Sequence, residues 1–406
     1  MLALPRLSLA ERDRRWQLVR EKMAEQGIDC LLVWGAPVHW DMKVSSARYL
    51  TQIGGNGEFE FVVFPRAEEP TVFIWANTFL SWWQEAQDWI QDIRVRRPGW
   101  AEAVAGRVRE LGLERGRLGV VGLSGLFDRD GYLPYETYLR LQQLLPDAQF
   151  LNATALLEEC RMVKSAEEVA MLERAAAIGD AMMEAYVSRA RPGVRECEVY
   201  AAVFEALIAH GGEVPTLVLM GSGPAPHPHP FYHPTQRHLE HGDTLIAEMH
   251  PKYGGYVAHM ERTVSLGPPH PHRRYLYEVT MQCYQAALEA LRPGQFLSEI
   301  QSAIRRPIAE ARLAFTECGI HGHGLESLEY PTFLFPPEAA ATELVEPQAI
   351  VGDGRLKEGM VVGLIVDLVD PNWEGGRTGT VFGDTLVIEA TGARRLSRFP
   401  LGLAVV

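Results

Sequence analysis

The sequence predicts an α/β layer domain over residues 1–158, followed over residues 159–406 by an α+β domain made of two related halves. Three observations predict it. Strand-like runs alternate with amphipathic stretches through the first region. A long helical pattern then opens at "KSAEEVAML", where Ser165 and Glu168 have capping-box spacing just after the basic-polar boundary "RMVKS". Finally, the order helix, "RPG", helix, strands occurs twice, with "RPG" at 191–193 and again at 292–294.

In chain order, Ser8 and Glu11 cap a first helix on which Trp16, Val19 and Met23 recur at helical spacing, and Gly27 ends it. "DCLLVWG", "FEFVVFP", "PTVFIWA" and "RLGVVGL" read as strands, and "WAEAVAGRVRELG" as an amphipathic helix. In the second region "ECEVYAAVFEALIAHGG" follows the first "RPG" and "LSEIQSAIRRPIAEA" the second. "HGDTLIAEMH" and "EGMVVGLIVDL" then open the two sets of strands. Placing Gly242 on Gly359 sets Glu248 opposite Ile365 in the duplication.

The chain of 406 residues is 47% hydrophobic and 22% charged, a globular balance. Its net charge of −13 argues against nucleic acid or an anionic membrane as partner. The longest apolar run is short and interrupted by Asp367, so no segment is expected to span a bilayer. Five cysteines without close pairing read as reduced thiols, and the N-terminus lacks the pattern of a signal peptide, so a cytoplasmic protein is expected.

The motifs "ARYLTQIGG", "RMVKSAEEVAMLERAA", "HGDTLIAEMHPKYGGYVAHMERTVSLG", "HGHGLESLEYP", "EGMVVGLIVDL" and "GTVFGDTLVIEATG" stand in one order along the chain. In this they resemble the creatinase/aminopeptidase P/prolidase family, M24. The resemblance implies a creatinase-type N-terminal α/β domain and a pita-bread catalytic domain with an internal pseudo-twofold repeat. It also implies a small-molecule substrate and a homodimer.

The family's peptidases hold two metal ions with Asp, Asp, His, Glu and Glu. By the resemblance those positions fall on Glu248, His259, His321, Ile365 and Gly383, and Leu328 stands where a second histidine acts in the peptidases. Two neighbouring cations need bridging carboxylates to offset their repulsion. Neither Ile365 nor Gly383 provides one, which disfavours a two-metal peptidase. The favoured expectation is a metal-independent, creatinase-like enzyme that cleaves a C–N bond of a small polar metabolite by hydrolysis, elimination by a lyase staying open, with no cofactor. Its catalytic candidates are Glu261, His321 and a loop histidine, His229 or His233, from "HPHPFYHPT", where His227 is a third choice. Glu248, His259, His323 and Arg377 are its candidate substrate contacts. Three alternatives stay open. One is a single divalent metal (Zn, Fe or Mn) on Glu248, His259 and His321. The others are an Xaa-Pro-type metallopeptidase and a non-catalytic binding protein of this fold. Pairing of the strands around "PKYGG" is expected to set Glu248 opposite His259, with His250 and Glu261 on the same side.

Overall fold

Ser8 caps the first helix of the computed structural model, its hydroxyl accepting the Glu11 N–H at 3.1 Å. The structure describes residues 4–37, 43–124, 131–214, 217–228, 234–333 and 354–406, in two units that meet in sequence at Arg161 and Met162.

In the first unit, α1 (Leu9–Glu25) buries Trp16, Val19 and Met23, the stripe that its spacing predicts. It is followed by β1 (Cys30–Gly35), α2 (Ser45–Thr51), β2 (Glu60–Pro65), β3 (Thr71–Ile74), α3 (Leu80–Ala86) and β4 (Asp92–Val95). Then come α4 (Trp100–Glu110), β5 (Arg117–Val121), α5 (Tyr135–Leu144), β6 (Gln149–Asn152) and α6 (Thr154–Arg161). The strands form one mixed sheet in the order β4-β3-β2-β1-β5-β6. The four strands legible in the sequence are β1, β2, β3 and β5, the inner ones. The two edges, β4 and β6, are partly exposed and carry no apolar run. Val104 and Val108 of α4 pack with Leu32, Val63 and Val120 of the sheet in one core.

In the second unit, α7 (Ala166–Arg189) starts with the expected reciprocal capping box between Ser165 and Glu168. α8 (Glu196–Ala209), β7 (Val218–Gly223), β8 (Thr244–Met249), β9 (Lys252–Tyr253), β10 (Tyr256–Val257) and β11 (Met260–Ser265) complete the first half. The second half runs through α9 (Pro271–Ala290), α10 (Leu297–Ala311), β12 (Ala314–Gly322), β13 (Glu329–Phe333) and β14 (Val361–Val369). It ends with β15 (Gly379–Thr380), β16 (Phe382–Glu389), β17 (Gly392–Arg395) and β18 (Ala404–Val405). A single sheet runs β13-β12-β14-β16-β11-β8-β7 through both halves, with β15, β17 and β18 on its flanks.

The duplication is visible in the backbone. After each "RPG" the glycine, at φ +88° in both copies, donates its N–H at 2.8 Å to a leucine carbonyl, Gly193 to Leu239 and Gly294 to Leu356. The β8–β11 hairpin of one half repeats as the β14–β16 hairpin of the other. Among the described residues no helix is long and apolar enough to cross a membrane.

Candidate active site

The site follows from what the two halves place at one matching position. In the β8–β11 hairpin, Glu248 stands directly opposite Glu261. In the β14–β16 hairpin the corresponding pair is Ile365 and Gly383. One half therefore presents two carboxylates across its strands, and the other presents no ligand atom.

The expected pairing of Glu248 with His259 is corrected by two residues. Gly254 and Gly255, at φ +58° and +86°, make a tight turn between Tyr253 and Tyr256. Two successive positive φ angles suit glycine and fit a two-residue hairpin. This moves the centre of the hairpin one residue along the chain. A shift of two in pairing leaves every side chain on its original face, whereas a shift of one would invert them all. Glu248, His250, His259 and Glu261 thus still converge. His250 Nε2 lies 2.7 Å from Glu248 Oε1. His259 Nε2 lies 3.2 Å from Glu261 Oε1 and 3.8 Å from Glu248 Oε1. The backbone N–H of His259 donates to Thr385 Oγ1 at 2.7 Å, tying the residue to β16.

β12 delivers two more imidazoles. His321 is opposite Gly363 of β14, and His323, just beyond the strand, donates its N–H to the Val361 carbonyl at 2.9 Å. The ring centroids of His321 and His323 are 4.4 Å apart, and those of His259 lie 5.5 and 5.7 Å from them. His259, His321 and His323 are fully buried, and Glu248 is 6% exposed. Among the described residues neither ring nitrogen of His321 or His323 has a hydrogen-bond partner. Burial, reinforced by the neighbouring imidazoles, holds both rings well below the ordinary histidine range, so they are neutral at pH 7. Burial lowers His250 too, opposed by its bond to Glu248.

Gly363 and Gly383 make the room. A Cβ at Gly363 would stand 2.6 Å from His323 Nε2 and 2.7 Å from His321 Nε2. One at Gly383 would stand 2.5 Å from His259 Cε1 and 2.9 Å from Glu261 Oε2.

Asp367, two residues beyond Ile365 on β14, was not singled out by the sequence. It is fully buried, and its carboxyl interacts electrostatically with that of Glu261. Burial first, then the carboxyls of Glu261, Glu317 and Glu248, push it well above the usual carboxylate range. Its signal was strand alternation: residues 363, 365 and 367 share one face of β14.

Other predicted residues lie elsewhere. His229 and His233 are outside the described residues. His227 is half-buried, on a segment held by Arg273, whose guanidinium donates to the Pro224 carbonyl at 3.2 Å, and by Thr378, whose hydroxyl donates to the Pro226 carbonyl at 2.8 Å. Arg377 is exposed and shares no hydrogen bond or ion pair with the described cluster. Arg262 is engaged in structural contacts. It reaches Asp384 Oδ1 at 3.0 Å and the Gly383 carbonyl at 2.7 Å. Glu329 is paired with Lys164 at 2.6 Å.

The Ile365–Gly383 pair offers no carboxylate to bridge two cations. Ile365 has no donor, and the space a side chain at Gly383 would need is filled by His259 and Glu261. A single ion fits. His259, His321 and His323 each offer one ligand atom within 4.8 Å of the others, and Glu248, His250 and His259 form a second such set.

Residues 170–390 match the family described as metallopeptidase family M24, and residues 15–163 match the creatinase/prolidase N-terminal domain. The chain belongs to metallopeptidase family M24. At the level of this family it is a hydrolase of C–N bonds. It is 27% identical to the Xaa-Pro dipeptidase of Pyrococcus furiosus over 66% of this chain and 72% of that one. It is 26% identical to the creatinase of a Bacillus species over 98% of this chain and 93% of that protein. The solved dipeptidase PepE of Mycobacterium ulcerans superposes with a TM-score of 0.75 at 26% identity, covering 99% of this chain and 100% of that chain. The predicted M24 architecture, a creatinase-type N-terminal domain with a pita-bread catalytic domain, is the one found.

Proposed function

We propose that this chain hydrolyses a C–N bond of a small substrate, an Xaa-Pro-type dipeptide being the first class to test, with one divalent metal ion in place of a bridged pair. The observation that carries the reading is the convergence of His250, His259, His321 and His323 beside Glu248 and Glu261 in one buried cluster. Dipeptides come first because dipeptidases recur among the relatives. This departs from the metal-independent expectation. Two neutral, buried imidazoles without partners among the described residues are a costly arrangement unless something ligates them.

An ion held there supplies, when bound, polarisation of the scissile group and a water of lowered pKa. The chain's own groups do the rest. Glu261 accepts from His259 Nε2 and so fixes that ring's tautomer and direction. Asp367, kept protonated by burial and by the neighbouring carboxyls, adds no negative charge beside Glu261. Glu248 and His250 share one proton across 2.7 Å and can take a proton and return it to the departing nitrogen. Burial of all these groups keeps water out and strengthens each contact.

A second reading keeps the metal-independent, creatinase-like reaction. It is favoured by the alignment with creatinase, which spans nearly the whole of both chains.

The test combines elemental analysis of untagged protein with turnover of Xaa-Pro dipeptides and of creatine, before and after chelation. The expected result is about one equivalent of metal, turnover lost on chelation, and a kcat reduced by about 100-fold or more in Glu248→Gln. Creatine turnover that survives chelation would establish the second reading. Hydrolysis of neither substrate class, with metal bound, would remove the dipeptidase assignment.

A further inference from the structure

We propose that His259, His321 and His323 form a three-imidazole site for one borderline divalent metal such as Zn²⁺ or Co²⁺, with Glu248, His250 and Glu261 as outer partners rather than ligands. The inference deepens the functional reading above, which concerns the same side-chain cluster, but its test does not depend on turnover.

The choice between the two possible ligand sets rests on which nitrogens are already engaged. In the set of Glu248, His250 and His259, the first two residues bind each other at 2.7 Å. In the other set, all four ring nitrogens of His321 and His323 lack partners among the described residues, although both side chains are fully buried. Their Nε2 atoms also converge above Gly363, where any side chain would collide with both. A strand glycine loses conformational entropy and packs nothing, so its presence here marks space kept for the two rings.

The geometry is close to what ligation needs. Zn–N bonds of about 2.0–2.1 Å in a tetrahedral site set the nitrogens about 3.4 Å apart. The three ligand atoms now lie within 4.8 Å of one another, so a closure of about 1.5 Å or less completes the site. Glu261 on His259 is the carboxylate–histidine pairing that commonly orients a metal-bound ring.

The donor set also determines the class of metal. Imidazole suits Zn²⁺, Co²⁺, Fe²⁺ and Cu²⁺, whereas Mn²⁺ and Mg²⁺ prefer carboxylate and water oxygen. The Ile365–Gly383 pair adds no carboxylate that would favour the harder ions.

Full-length protein stripped with chelator is titrated with Co²⁺, read by its visible d–d absorption, and then with Zn²⁺ and Mn²⁺ in competition. The expected result is one equivalent of Co²⁺ in a tetrahedral-type band, displaced by Zn²⁺ and only weakly by Mn²⁺. His323→Ala and Gly363→Ala each weaken binding by about 100-fold or more, while Glu248→Gln costs about tenfold, the scale of an outer partner, and leaves the band in place. Far-UV circular dichroism and melting confirm that the variants fold; Gly363→Ala and His323→Ala are independent routes should one of them fail. Two equivalents of Co²⁺, equal preference for Mn²⁺, no binding, or a band abolished by Glu248→Gln and kept in His323→Ala would each overturn the proposal. The expected binding pattern without hydrolysis of any substrate tested would support the site and count against the functional reading alone.

Discussion

Replacing His323 by leucine is expected to stabilise the metal-free protein while removing its affinity for metal. The magnitude follows from the environment of the ring. His323 is fully buried and its two nitrogens find no partner among the described residues. A buried polar atom left unsatisfied costs about 1–3 kcal/mol. Leucine is apolar and of similar size, so a net gain of about 2 kcal/mol is expected at pH 7.5. The gain grows in acid. Burial and the neighbouring imidazoles hold His323 well below its ordinary value, so the folded state keeps it neutral while the unfolded chain protonates it below about pH 6.5. The unfolded state then binds more protons, and wild-type stability falls by up to about 1.4 kcal/mol per pH unit below that point. The leucine variant has no such term, so its advantage reaches about 3.4 kcal/mol at pH 5.5. At pH 7.5 zinc reverses the order: at a free concentration about 100 times its Kd it adds about 2.7 kcal/mol to wild type and nothing to the variant, whereas at pH 5.5 it only narrows the variant's lead. The assay is equilibrium urea unfolding of chelator-treated protein at both pH values, with and without Zn²⁺. Amide exchange in β12 and β14 assigns the change to this sheet. If the variant is less stable than metal-free wild type by more than about 1 kcal/mol at pH 7.5, His323 has a structural role and the reasoning fails.

Three further outcomes are expected. Glu60 in β2 is fully buried, its carboxyl oxygens have no partner among the described residues, and burial followed by repulsion from Glu58 raises it well above the usual range. It stays protonated in the fold and ionises in the unfolded chain above about pH 4.3, so wild-type stability falls as pH rises. Glu60→Gln should gain on wild type as pH rises from 5, by up to about 1.4 kcal/mol per pH unit while Glu60 stays protonated in the fold, and a difference in urea unfolding that does not vary with pH would refute this. Asp384→Asn leaves Arg262, whose side chain is 1% exposed, without its carboxylate at 3.0 Å, and should cost about 3–5 kcal/mol; a loss below about 1 kcal/mol in the same assay would contradict the ion pair. Gly383→Ala places a Cβ 2.5 Å from His259 Cε1 and must displace that ring, costing about 1–3 kcal/mol of stability. The Co²⁺ band should weaken with it; an unchanged band would show that His259 is not a ligand.

Much of the architecture was legible because burial writes itself into periodicity. The inner strands β1, β2, β3 and β5 are apolar throughout, and the Ser165–Glu168 capping box announces α7. The edge strands β4 and β6 were not legible, because half-exposed strands need no apolar run. At the site, the sequence identified Glu248, His259, Glu261 and His321 through their place in family motifs, and the shared face of the hairpin through alternation. It missed Asp367, whose role depends on a neighbour 106 residues away in sequence, Glu261.

The sequence by itself therefore determined the two-part architecture, the duplicated half and the residue types available for chemistry. All of these rest on local patterns of apolarity, capping and turn glycines. Only the tertiary structure decided the register, with Glu248 facing Glu261 and Ile365 facing Gly383. It alone brought His323 against His321 above Gly363. The physical reason is that a turn of two glycines sets which residues face each other, and that free space above a glycine exists only once neighbouring strands have packed. Neither property belongs to a residue type; both arise from the sheet that assembles around it.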